Sequence, residues 1–274
     1  MTVKQSIYYS PIDNLSCLDH LIFNIKLIVV IVFAIILILA VILFSKIIPF
    51  WGKWLPVIFQ KLIIWLLSVR IECEGKTNKS NDCNLYISNH LSYLDIPILG
   101  SKYPVRFVAK SEVENWPLFG FLAKLGRTIF ISRNRSDSLD QKKKIVKSLS
   151  SDEKIFIFPE GTTSDGNRVL DFKSSTFSAL EGQNYIIQPM VIIYSDLNEI
   201  PINRWLRPAI AWYGDMDLKP HLSKLTSLRS IKVRLIYLDK VNTNKFSSRK
   251  DLSKYLENKI KKVYSSALYK KPAK

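Results

Sequence analysis

His90 and Asp95, five positions apart, are the residues of this chain best suited to moving a proton. They lie in Ile87-Ser-Asn-His-Leu-Ser-Tyr-Leu-Asp-Ile-Pro97. Histidine is the commonest general base, and a nearby carboxylate can fix its tautomer and stabilise its charged form. On one regular helix this spacing would set the two side chains about 140° apart, on different faces. Pro97 resolves the difficulty, because proline belongs in a first helical turn. The helix should therefore begin near Asp95 and leave His90 in the preceding turn, where the two side chains can converge. Taken alone, such a pair is more often incidental than catalytic.

A second segment, Ile155-Phe-Ile-Phe-Pro-Glu-Gly-Thr-Thr-Ser164, reads as a buried strand that opens into Glu160, Gly161 and three hydroxyl residues. Glycine lets a backbone approach a ligand closely, and free amides with hydroxyls suit an anion. An ordinary strand-to-helix loop would have the same composition. Between the two segments lie Lys110, Arg127, Arg133 and Arg135, near the ends of expected strands. Cations there can bind phosphate, arginine as a two-pronged fork and lysine as a point charge. The three cysteines, Cys17, Cys73 and Cys83, show no metal-ligand spacing and are not flanked by histidines. Neither a zinc site nor a disulfide framework is expected.

The elements that must position these residues follow from hydropathy. Residues 85–88, 106–109, 128–132 and 155–158 are short apolar runs suited to buried strands, and 187–194 and 232–238 add two more. Helices are expected after Pro117, from Ser138 where Ser-Leu-Asp-Gln matches a capping box, and over 248–264. In the last of these Leu252, Tyr255, Leu256, Ile260 and Val263 share helical spacing. Such alternation argues for an α/β domain over 71–274 with a mostly parallel sheet covered by helices.

Residues 1–70 read as a membrane-anchoring region. Leu27 to Phe44 carries no charge, and a helix there would span roughly 27 Å, close to a bilayer core of about 30 Å. The stretch 47–69 is interrupted by Pro49 and Pro56 and carries Lys53, Lys61, Trp51, Trp54 and Trp65. It reads as an interfacial or shallowly inserted helix, since tryptophan favours the headgroup level and lysine stems snorkel there. The alternative is a second span that returns the chain across the membrane. The bias of basic residues after the first span places the following domain weakly on the cytoplasmic side. The net charge of +17 suits acidic partners of several kinds. Residues 240–274 hold 11 Lys+Arg against 2 Asp+Glu, a basic face that is either membrane-directed or simply solvated.

In this order, the pieces resemble the lysophospholipid acyltransferase family over about residues 70–240. NHxxxxD is met by Asn89, His90 and Asp95. A second region is met by Phe107 to Lys110, Glu112, Pro117 to Gly120, Gly126, and Ile129 to Arg133. FPEGT is Phe158 to Thr162, and a fourth region is similar to Ile187 to Val191 around Pro189. The resemblance implies the glycerolipid acyltransferase fold. It implies that His90 deprotonates an acceptor hydroxyl, that Asp95 orients the imidazole, and that the hydroxyl attacks an acyl thioester without an acyl-enzyme. Lys110 and Arg133 would hold the acceptor's phosphate, while Glu160, Gly161 and Thr162 would shape the acceptor site.

The same resemblance implies an acyl-CoA or acyl carrier protein donor, no cofactor, membrane lipids as partners, and no nucleic acid. The expected acceptor is 1-acyl-sn-glycerol-3-phosphate, giving phosphatidic acid at a bacterial inner membrane, with catalysis on the cytoplasmic face. Two departures weaken that acceptor: Thr163 stands where many such enzymes have arginine, and Phe172-Lys-Ser-Ser175 lacks the glycine of FKxG. The alternative is another lysolipid such as lyso-ornithine lipid. A non-catalytic, membrane-tethered binder of anionic ligands would leave the four motifs unexplained.

Overall fold

The structure, a computed structural model, describes residues 17–44, 51–75, 83–116, 119–132, 138–151 and 153–269. The chain enters through two helices, α1 (Cys17–Phe44) and α2 (Trp51–Leu66). A sheet then alternates with helices: β1 (Val69–Gly75), β2 (Leu85–Ser88), α3 (Asp95–Gly100), β3 (Val105–Lys110), α4 (Phe119–Leu125), β4 (Ile129–Ile131), α5 (Ser138–Ser150) and β5 (Lys154–Ile157). The second half holds β6 (Ile186–Leu197), β7 (Ile200–Pro201), α6 (Leu218–Thr226), β8 (Ile231–Tyr237), β9 (Val241–Asn242) and α7 (Arg249–Tyr269).

The sheet order among the described residues is β1-β8-β6-β2-β5-β3-β4, with β7 and β9 paired to β6. All neighbours along this path are parallel except β6 and β8. The expected α/β class and mostly parallel sheet are what the structure has. Apolar strands explain the layering. On β2, β5 and β6 alternate residues face opposite sides, so Tyr86, Phe156 and Ile192 enter one core while Leu85, Ile155 and Val191 enter the other. Helices α5 and α7 close the second core, and α7 buries Leu252, Leu256, Ile260, Tyr264 and Ala267 at helical spacing. Tyr255, expected on that apolar face, is instead 45% exposed, because the stripe drifts toward Tyr264 and leaves it at the margin.

The expected helix over 47–69 is shorter at its end. It stops at Leu66 because Ser68 takes φ 52° and turns the chain into β1. That edge strand has its acids on β8 cations: Glu72 meets Lys232 and Glu74 meets Arg234. Helix α2 packs against α3 so closely that a methyl group on Gly100 would strike Gln60. The uncharged stretch 27–44 lies within the 28-residue α1. Many of its side chains fall outside the described set, and among the described residues no helix is long and apolar enough to cross a membrane.

Candidate active site

The site forms where β2 ends. Asn89 is buried and behaves like an extra rung of the sheet: its Nδ2 donates to Ile192 O at 3.0 Å, and its Oδ1 accepts from Ile192 N at 2.9 Å. This pins the chain to β6 as it turns. His90 follows in that turn, and Asp95 opens α3 as Pro97 requires. The two side chains converge, with His90 Nδ1 2.7 Å from Asp95 Oδ2.

Asp95 is fully buried, so its carboxylate must be satisfied inside the protein. Oδ2 also accepts from the backbone N–H groups of Leu91 at 2.8 Å and Ser92 at 3.0 Å. Oδ1 accepts from the Tyr194 hydroxyl at 2.7 Å. Burial first, and then the Asp95 charge, hold the Tyr194 phenol well above its ordinary range, so it stays a donor. With the carboxylate occupying Nδ1, the nitrogen of His90 left to meet a substrate is Nε2.

The Phe158-Pro-Glu-Gly-Thr loop grips this histidine from three sides. The Phe158 ring stacks on the imidazole, with centroids 3.9 Å apart and planes 14° from parallel. Glu160 Oε1 accepts from His90 N at 2.7 Å, and Ser164 N donates to His90 O at 2.9 Å. The other Glu160 oxygen accepts from Leu170 N at 2.6 Å. Burial pushes the Glu160 carboxyl up to about 8, against the opposing pull of those two backbone donors. Gly161 takes φ 65°, and a Cβ there would sit 3.0 Å from the Lys173 ammonium, which lies across it. The positive φ is what favours glycine here, while the flexible lysine chain would have to shift by a few tenths of an ångström.

A family model described as Acyltransferase matches residues 70–193. The lyso-ornithine lipid O-acyltransferase of Brucella abortus is 35% identical over 233 residues, covering 82% of this chain and 87% of the relative. The chain belongs to the acyltransferase family. A 1-acyl-sn-glycerol-3-phosphate acyltransferase of Neisseria meningitidis is 28% identical over 181 residues, covering 65% of this chain and 68% of that protein. The crystal structure of PlsC, the 1-acyl-sn-glycerophosphate acyltransferase of Thermotoga maritima, shares the fold at TM-score 0.68. It is 20% identical and covers 93% of this chain and 97% of its own.

The acyltransferase fold brings some of the expected site residues together and redirects others. His90, Asp95, Glu160 and Gly161 form one cluster. Glu160, expected to shape the acceptor site beside the histidine, is 1% exposed, and its oxygens accept from the backbone N–H groups of His90 and Leu170. Thr162 is exposed at the loop surface. Lys110 ends β3 on the same sheet edge as His90, since β2, β5 and β3 run parallel. Arg133 and Arg135 lie outside the described residues. Arg127, one of the four cations that could bind phosphate, has an internal partner. Its guanidinium pairs with Glu153, which Arg106 also holds at 2.7 Å.

Tyr194 was not singled out from sequence, and Phe158 and Ser164 were named only within their segment, without their contacts to His90. His221 is buried in α6 with Nδ1 2.9 Å from the hydroxyl of Tyr93, which lies inside the NHxxxxD motif. Among the described residues no group of three or more metal-ligating side chains is gathered.

Proposed function

We propose that this acyltransferase carries a fatty acyl group from an acyl thioester to the hydroxyl of a lyso-ornithine lipid. The observation that carries the acceptor choice is 35% identity over 82% of the chain with the Brucella abortus enzyme. The Neisseria meningitidis phosphate-lipid enzyme stands at 28% over 65%. Lysophosphatidic acid, the first expectation from sequence, thereby becomes the second reading. Thr163 and Ser175, the two departures from the phosphate-lipid pattern, support the same order. An ornithine headgroup offers a carboxylate and an amine where lysophosphatidic acid offers a phosphate.

The chemistry follows from the dyad. His90 Nε2 takes the proton of the acceptor hydroxyl as its oxygen attacks the thioester carbonyl. The buried carboxylate of Asp95 stabilises the imidazolium that forms, and Phe158 and Glu160 hold the ring in place. As the carbon–sulfur bond breaks, the imidazolium returns the proton to the departing thiolate of coenzyme A or acyl carrier protein. No cofactor or metal enters these steps. Lys110 and Arg133 would hold the acceptor's anionic group, with Thr162 at the rim. The apolar run 27–44 within the first helix would rest against the bilayer that holds both lipids.

Purified full-length protein, labelled acyl-CoA and a panel of separate lysolipids test the acceptor. Labelled ornithine lipid as the main product supports this reading, and labelled phosphatidic acid as the main product replaces it with the second.

A further inference from the structure

Beyond the catalytic machinery, a turn on the same rim displays a tryptophan to solvent. Trp205 is 75% exposed, more than any other large apolar side chain among the described residues. The turn that carries it is firmly built. Ile202 and Leu206, on either side, pack against the main core, and Ile202 N donates to Ser195 O at 2.7 Å. Asn203 Oδ1 accepts from the backbone N–H groups of Trp205 at 2.9 Å and Leu206 at 3.1 Å, an Asx-type turn. The turn thus holds the Trp205 backbone in place while its side chain is largely exposed.

Sheet register places this turn. Strand β6 runs parallel to β2 with Met190 level with Ser88, then continues to Leu197 on the side toward which His90 projects. Leu197 pairs with Ile231, and Ile231 with Val69, so the start of β1 and the end of α2 share that edge. Trp65 is there, 50% exposed, with the Lys26 ammonium 5.5 Å above its ring. The exposed cations Arg70, Arg204 and Arg229 accompany it. The nearby carboxylate of Glu199 is paired to Arg70 at 3.0 Å.

We infer that the Arg204–Trp205 turn is a second bilayer contact, seating its indole at the headgroup level of an anionic membrane beside the N-terminal helices. Tryptophan has an apolar body and a polar edge and partitions to that depth. Each cation near an anionic surface strengthens the contact about fivefold. The turn is also linked to the catalytic loop. Arg207 Nη1 donates to Asn167 Oδ1 at 2.5 Å, Asn167 N donates to Asp165 Oδ1 at 2.9 Å, and Ser164 N donates to His90 O at 2.9 Å. The inference rests on the lipid-acceptor reading for its purpose and not for its detection.

The test reconstitutes the full chain in vesicles of phosphatidylglycerol and phosphatidylcholine that carry shallowly brominated lipid. Wild type and Trp205→Phe, which keeps an aromatic side chain, are compared by tryptophan fluorescence. The emission lost in the variant should be quenched by more than about half in wild type. An unquenched Trp205 contribution overturns the inference, whatever the turnover. In parallel, Arg204→Glu and Trp205→Ala should lower turnover of vesicle-borne acceptor at least about fivefold while detergent-micelle turnover stays within about twofold. Equal vesicle rates, or equal losses in both media, overturn it. Wild type inactive on every lysolipid would refute the proposed function and leave the quenching result to decide this inference.

Discussion

Asp95→Asn separates charge from geometry at the centre of the site. Oδ2 of Asp95 accepts three N–H donors at 2.7, 2.8 and 3.0 Å, while Oδ1 accepts only the Tyr194 hydroxyl. An asparagine with its oxygen in the Oδ2 position keeps all three N–H bonds. Its amide nitrogen then faces Tyr194, whose hydroxyl can turn to accept. The fold should therefore survive, with a stability change of about 1 kcal/mol or less. What disappears is the negative charge facing the imidazolium that forms during transfer. At a charge separation of about 4 Å and an effective dielectric near 20, that attraction is about 4 kcal/mol. The expected consequence is a kcat lower by about a thousandfold. Initial rates at saturating donor and acceptor, with thermal melts of both proteins, measure the two effects separately. A kcat within tenfold of wild type would refute the charge argument. A melt lowered by about 10 °C or more alongside lost activity would make Asp95 an architectural residue.

Three further outcomes follow from the loop that grips His90. Burial raises the Glu160 carboxyl from an ordinary 4.5 to about 8, so the native chain keeps a proton that the unfolded chain releases. Stability tied to that proton is full below about pH 4.5 and is lost as pH rises to about 8; Glu160→Gln should melt with a flatter pH profile across that window. Gly161→Ala forces φ 65° on a residue with a Cβ and crowds Lys173. It should cost about 1–2 kcal/mol in denaturant titration and lower kcat/KM as the loop shifts. Thr163→Arg restores the cation of the phosphate-lipid pattern. It should move acceptor preference toward lysophosphatidic acid about tenfold in a two-acceptor competition, the worth of one charge-assisted bond.

Much of the fold and part of the site were legible because local chemistry dictates them. Buried strands such as Leu85–Ser88 and Lys154–Ile157 are short apolar runs, and Pro97 marks the start of α3 in any context. The convergence of His90 and Asp95 follows from that one helix start. Tyr194 was not legible, because its bond to Asp95 joins residues 99 apart and depends on β6 lying beside β2. Glu160 was readable as part of a motif, but its direction was not. Only the packed loop shows that its oxygens turn back onto His90 and Leu170. Arg127 misled for a related reason, since a cation at a strand end looks the same from sequence whether it awaits an anion or already holds Glu153. Strand β1 was missed because its acids, exposed Glu72 and half-buried Glu74, hide an edge strand that β8 cations complete. The motifs report the reaction and leave the acceptor open, since the departures from the phosphate-lipid pattern, Thr163 and Ser175, are single residues outside them.

The central claim is that His90, held by Asp95 and the Phe158–Ser164 loop, deprotonates the acceptor hydroxyl. Its most direct test is single-turnover transfer of a labelled acyl group from acyl thioester to lyso-ornithine lipid by wild type and His90→Ala, both in vesicles and both checked for folding by circular dichroism. The account predicts labelled ornithine lipid from wild type and a rate lower by at least about a thousandfold from the folded variant. A folded His90→Ala protein that transfers label at a rate near wild type would contradict it.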